Sequence, residues 1–197
     1  MAEISSSGKK YLAALGVITV LDVAAVALSA RVNMIQDFFF MADLFPLGLS
    51  IATLVLLFLM LLSNFAVIDS FLVRAPFQIG NLLILSLLWL AFNAFSTSRW
   101  SHIPMNCMSI PAEYAEARVW CKDVQGLKAV VWVQWLMLLG TSLITLRYTI
   151  SQHTQGYAHV WNMPLVRYDP RYGSRFSGRD SEFLQFEKIE PGMGMAY

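Results

Sequence analysis

No charged residue falls between Asp43 and Asp69, nor between Arg74 and Arg99. A helix crossing roughly 30 Å of hydrocarbon needs about 20 predominantly apolar residues, and each of these intervals supplies that length with some room for tilt. A further apolar run extends from Leu127 to Ile150, with Lys128 and Arg147 near its ends and Trp132, Trp135 and Tyr148 placed as interfacial anchors. The run Tyr11 to Ala30 is interrupted by Asp22, which costs about 2.5–3.5 kcal/mol at a helix centre on insertion scales. So apolar a segment still inserts. The pattern predicts spans at about 11–30, 45–68, 76–98 and 127–150. With short connections these make an all-α membrane fold, an antiparallel bundle of four transmembrane helices.

Composition narrows the function classes. Of 197 residues, 57% are hydrophobic and 14% charged, with a mean hydropathy of +0.55. A soluble domain averages about 45–50% and about 25% respectively. The net charge of +1 lacks the basic excess that phosphates require, so no nucleic-acid partner is expected. Two cysteines, with His102, His153 and His159 at no ligand spacing, leave no metal or cofactor site to name. No GxSxG, phosphate-cradling glycine loop or paired carboxylate is present, so the chain reads as a non-enzyme without catalytic residues.

Lys9 and Lys10 before the first apolar run, with Ala27-Leu28-Ser29 beyond it, also fit a signal peptide. The run exceeds the usual 7 to 15 residues of a signal h-region, and a buried acid suits a retained helix better. Lys and Arg set the orientation. With both ends cytoplasmic the inner side carries nine of them and the outer side five, from Arg31, Arg99, Arg118, Lys122 and Lys128. The chain therefore divides into a cytoplasmic N-terminus (1–10), a transmembrane domain (11–150) and a cytoplasmic tail (151–197). The tail is polar and rich in Gly and Pro, and reads as largely extended or disordered.

Cys107 and Cys121 share the long second outer loop, where an oxidising compartment favours a disulfide over two free thiols. Between them the stretch from Pro111 to Arg118 has the residues of a short helix. Asp22 is the sharpest functional candidate, since an ionisable group inside a span marks internal packing, a partner contact or an ion route. Counting 1.5 Å per residue places Thr53, Asn93 and Gln134 at its depth, able to satisfy it inside the bundle. Asn64 and Asn81 lie toward the inner side as interhelical hydrogen-bonding residues. Ala13, Gly16, Ala24 and Ala27 would let a neighbouring helix, of this chain or a second copy, approach closely. Arg167, Arg171, Arg175 and Arg179 recur at a helical spacing, although Pro170, Gly173 and Gly178 oppose a helix. A diffuse contact with anionic lipid of the inner leaflet is their expected role.

The stretch Ile110-Pro111-Ala112-Glu113-Tyr114, then Cys121, then Leu127-Lys128-Ala129 leading to Trp132 and Trp135 resembles fungal MARVEL-type four-span membrane proteins. The likeness covers about residues 9–150 and leaves the tail aside. It implies no catalytic residues. It implies a scaffold for membrane organisation or vesicle trafficking, in contact with lipids and with a membrane-protein partner or further copies of itself. The expected location is the plasma membrane or a secretory-pathway membrane. The alternatives are an accessory subunit of a larger membrane complex and, further off, a small transporter or channel centred on Asp22.

Overall fold

The structure, a computed structural model, describes residues 4–35, 41–66, 71–102, 106–111 and 113–168, with the backbone alone at 41–43, 66 and 102. Four long helices dominate it: α1 (Ser6–Ile35), α2 (Met41–Ala66), α3 (Ala75–Arg99) and α4 (Ala115–Thr154). All four are long and apolar enough to cross a membrane. α1, α3 and α4 extend past both ends of the spans read from hydropathy, and α2 past the start of its span, because the backbone keeps its helical hydrogen bonds beyond the hydrocarbon until something caps it. For α1 that cap is Ser5, whose hydroxyl accepts the Gly8 N–H at 3.0 Å. For α3 it is Arg74 in extended backbone, with Pro76 in the first turn, where a missing N–H costs nothing.

The direction of packing follows from residue pairs. Thr53, Met60 and Asn64 of α2 bond to Trp89, Asn81 and Gln78 of α3, so one helix descends as the other rises. The same opposition joins α3 to α4 through Ile79 with Ser142 and Asn93 with Val131. Between α1 and α4, Arg31 meets Asp123 at 3.2 Å, and Leu28 lies against Gly126. At the other end, Tyr11 and Ala14 share a groove with Thr141 and Thr145. The alternation of directions is that of an up-down-up-down bundle.

The buried face of each helix repeats at alternating steps of three and four residues. In α1 it runs Tyr11, Leu15, Ile18, Asp22, Ala25, Ser29, Val32, and in α2 it includes Ser50, Thr53, Leu57 and Met60. Such spacing is the seam of left-handed helix packing. The polarity is inverted relative to a soluble bundle. Inward positions hold Ser, Thr, Asn, Gln and one Asp among the aliphatics, while Val20, Phe58, Leu87 and Ile144 face outward. Lipid provides no hydrophobic drive between helices, so small and polar groups occupy the contacts.

Two sequence expectations change. The short loop helix predicted between Pro111 and Arg118 is the start of α4, which runs unbroken from Ala115 through Cys121 to Thr154. At 1.5 Å per residue it is about 60 Å long, twice the hydrocarbon thickness. The first part of the tail is also not extended. α4 continues to Thr154, the chain turns at Gly156 with φ +92°, and short 3₁₀ turns follow at Ala158–Trp161 and Leu165–Arg167. A residue with a side chain is strained at such a φ, which is why glycine stands at this reversal. The segment then crosses the end of the bundle: Pro164 bridges to Arg74, Val166 accepts the Ser5 N–H, and Tyr168 donates to the Gln152 side chain. Leu165, Val166 and Tyr168 are buried by it. Apolar residues in a polar stretch found a docking surface that hydropathy averaging hides.

Candidate functional site

The polar groups inside the spans fall into three sets. Most hydroxyls bond back to their own helix: Ser29 to Ala25, Thr53 to Leu49, Ser86 to Leu83, Thr145 to Thr141 and Thr149 to Thr145. This leaves no donor exposed and asks nothing of a neighbour.

The second set crosses between helices. Gln78 Nε2 donates to Asn64 Oδ1 at 2.9 Å, and Asn64 Nδ2 donates to the Met60 carbonyl. Asn81 donates to the Met60 sulfur at 3.0 Å. Trp89 donates its indole N–H to the Thr53 hydroxyl at 3.0 Å, and Asn93 its amide to the Val131 carbonyl at 2.9 Å. Asn64 and Asn81 thus take the interhelical role expected of them. Gln78, Trp89 and Ser142 are additional members that hydropathy did not single out. For Gln78 and Ser142 the signal was a polar residue within an apolar run; Trp89 carried none.

The third set is unpaired. Both carboxyl oxygens of Asp22, and both the amide nitrogen and oxygen of Gln134, are buried with no hydrogen-bond partner. Each residue is 0% exposed. The α1–α4 register set by Arg31–Asp123 and Leu28–Gly126 brings Asp22 to the level of Gln134. That register agrees with the depth arithmetic for Gln134. The expectation that Thr53, Asn93 and Gln134 satisfy Asp22 is not upheld, because Thr53 is engaged with Trp89 and Leu49, Asn93 with Val131, and Gln134 bonds to nothing.

The two ends of the bundle are closed differently. Cys107 and Cys121 form a disulfide with Cα atoms 5.8 Å apart, which fastens the 3₁₀ turn Cys107–Ser109 to α4. Arg118, in the first turns of α4, donates to the Ile110 carbonyl of the loop before it. At the opposite end lies Arg167, in the docked segment rather than in a free tail, with its Nη1 buried and unpaired. Arg171, Arg175 and Arg179 lie outside the described residues. Beside this end a groove of about 500 Å³ opens between α1 and α4, lined by Ser7, Lys10, Tyr11, Ala14, Thr141, Ile144, Thr145, Tyr148 and Leu165.

These features define the class: a multi-pass helical membrane protein whose bundle carries a polar interior and a capped end on each side. Comparison with family profiles, with curated proteins and with solved structures finds no match.

Proposed function

We propose that this chain is a non-enzymatic membrane protein that organises or traffics membrane through lateral contacts with lipid and protein. Its membrane is that of the plasma membrane or secretory pathway, and both termini are cytoplasmic. One observation carries this reading. Over the spans 11–30, 45–65, 76–98 and 127–150, the exposed side chains among the described residues are Ala, Gly, Pro, Val, Leu, Ile or Phe, apart from Ser98 and Arg147 near the span ends. A subunit held in a fixed complex would present a continuous small or polar patch to its partner. Here the polar groups are turned inward, and the exposed small residues, such as Ala13, Ala27, Ala52 and Ala94, are interspersed with exposed Val, Leu, Ile and Phe, so the outer face suits lipid. The resemblance of the stretch from Ile110 to Trp135 to MARVEL-type proteins points the same way.

Purification in native nanodiscs at natural abundance, followed by mass and composition of the intact particle, tests it. A lipid-rich or self-assembled particle with no constant partner is expected. A fixed stoichiometry with one large partner would replace this reading with that of an accessory subunit.

A further inference from the structure

We propose that the groove between α1 and α4 binds one anionic phospholipid, with its phosphate at Lys10 and an acyl chain lying along Ala14 and Ile144. The proposal rests on the lipid-organising reading, with both termini cytoplasmic, and gives it a defined ligand site.

The groove has the shape for such a ligand. Its volume of about 500 Å³ lies within the roughly 300–1,000 Å³ typical of ligand sites. Its charge is confined to one end. Ser7, Lys10 and Tyr148 line it near the helix ends together with Leu165, and Ala14, Thr141, Ile144 and Thr145, all uncharged, line it deeper in the span. The Thr145 hydroxyl is committed to the Thr141 carbonyl, so it makes no claim on a guest molecule. A headgroup at the charged end with hydrocarbon below follows the same order.

Two independent observations point to an anionic, oxygen-rich guest. First, Tyr11 lines the groove and its hydroxyl is buried without a hydrogen-bond partner. A buried donor left unmade costs free energy, and a turn of the ring toward the groove would bring it to an ester or phosphate oxygen of a bound lipid. Second, this end of the bundle carries Lys9, Lys10, Arg74, Arg147 and Arg167. Among the described residues of that end (4–14, 60–80 and 141–168) there is no Asp or Glu; Glu3, Asp69 and Asp169 lie outside them. Lys10 has no ion-pair partner among the described residues, and it alone of these cations lines the groove. Basic residues at the cytoplasmic surface attract anionic lipid.

The test uses the full chain in phosphatidylcholine nanodiscs containing a minor share of phosphatidylserine, with retained lipid read by native mass spectrometry. The wild type is expected to hold one phosphatidylserine per chain in preference to phosphatidylcholine. Lys10→Gln should lower that preference about fivefold, the factor for one basic residue near the surface, and Lys9→Gln, whose side chain does not line the groove, should lower it clearly less. Ile144→Trp, at an outward position 73% exposed, should fill the groove and abolish retention of either lipid. Ala14→Leu is the second groove-filling variant, with the same expectation. Equal retention of both lipids by the wild type would overturn the proposal. So would equal losses in the two lysine variants, which would mean diffuse attraction, or undiminished binding in both folded groove-filling variants. The particle mass, measured on the same samples, reports separately on a constant protein partner, so failure of the site and failure of the organising role are distinguishable.

Discussion

Gly8 of α1 lies directly against the backbone of Val166: a β-carbon placed on Gly8 would sit 2.0 Å from the Val166 carbonyl oxygen. That same oxygen accepts from both the N–H and the hydroxyl of Ser5, at 3.1 and 3.2 Å, while the hydroxyl also caps α1. The contact fastens the segment after α4 to the start of α1, residues far apart in the chain. No side chain larger than hydrogen fits at position 8 without moving backbone.

Gly8→Ala should therefore release the docked segment and leave the four spans in place. The expected cost is about 1–3 kcal/mol, typical of overpacking. Hydrogen exchange should show lost protection at Val166 to Tyr168 with little change in the middle of α1. Unchanged protection at those amides would refute the close approach.

Removing the disulfide by Cys107→Ser should destabilise the loop end by about 3 kcal/mol, the chain-entropy value for a loop of this size. Thermal unfolding in detergent, with and without reductant, reads it. The wild type under reductant should match the variant, and insertion into the membrane should be unaffected.

The Gln78–Asn64 bond joins two side chains in the apolar core. A double-mutant cycle of Asn64→Ala and Gln78→Ala should give a coupling of about 0.6 kcal/mol, the average found for such bonds inside membranes. Forced-unfolding or steric-trapping measurements resolve that size. Zero coupling would show that each amide finds an equally good partner alone.

Asp22 and Gln134 are buried without partners at one level of the α1–α4 seam, so both are expected to cost stability. Each unmade polar group is worth about 1–3 kcal/mol. Gln134→Leu, close in volume, should raise the unfolding temperature, and Asp22→Asn should leave it unchanged or higher. A marked loss of stability in Asp22→Asn would show that the carboxyl has a partner beyond this chain. A transport role centred on Asp22 would instead be exposed by lost activity in a stable Asp22→Asn protein.

The amino-acid sequence alone determined the number and rough position of the four spans, because crossing hydrocarbon demands long uncharged runs that no other constraint produces. It also indicated the Cys107–Cys121 pair from the shared loop, and the common depth of Asp22, Thr53, Asn93 and Gln134 from helix rise. Tertiary structure decided who bonds to whom. Depth is a one-dimensional quantity, whereas a hydrogen bond also needs the right helix face and a free partner, and Thr53 and Asn93 are taken by Trp89 and Val131. The docking of Leu165, Val166 and Tyr168 was likewise invisible to hydropathy: Val166 meets Gly8 and Ser5, Leu165 packs with Ala75 and Ile79 and Tyr168 reaches Gln152, which only folding brings to the same end of the bundle. The groove at Lys10 exists for the same reason, since it is a property of the space between α1 and α4 and of neither helix by itself.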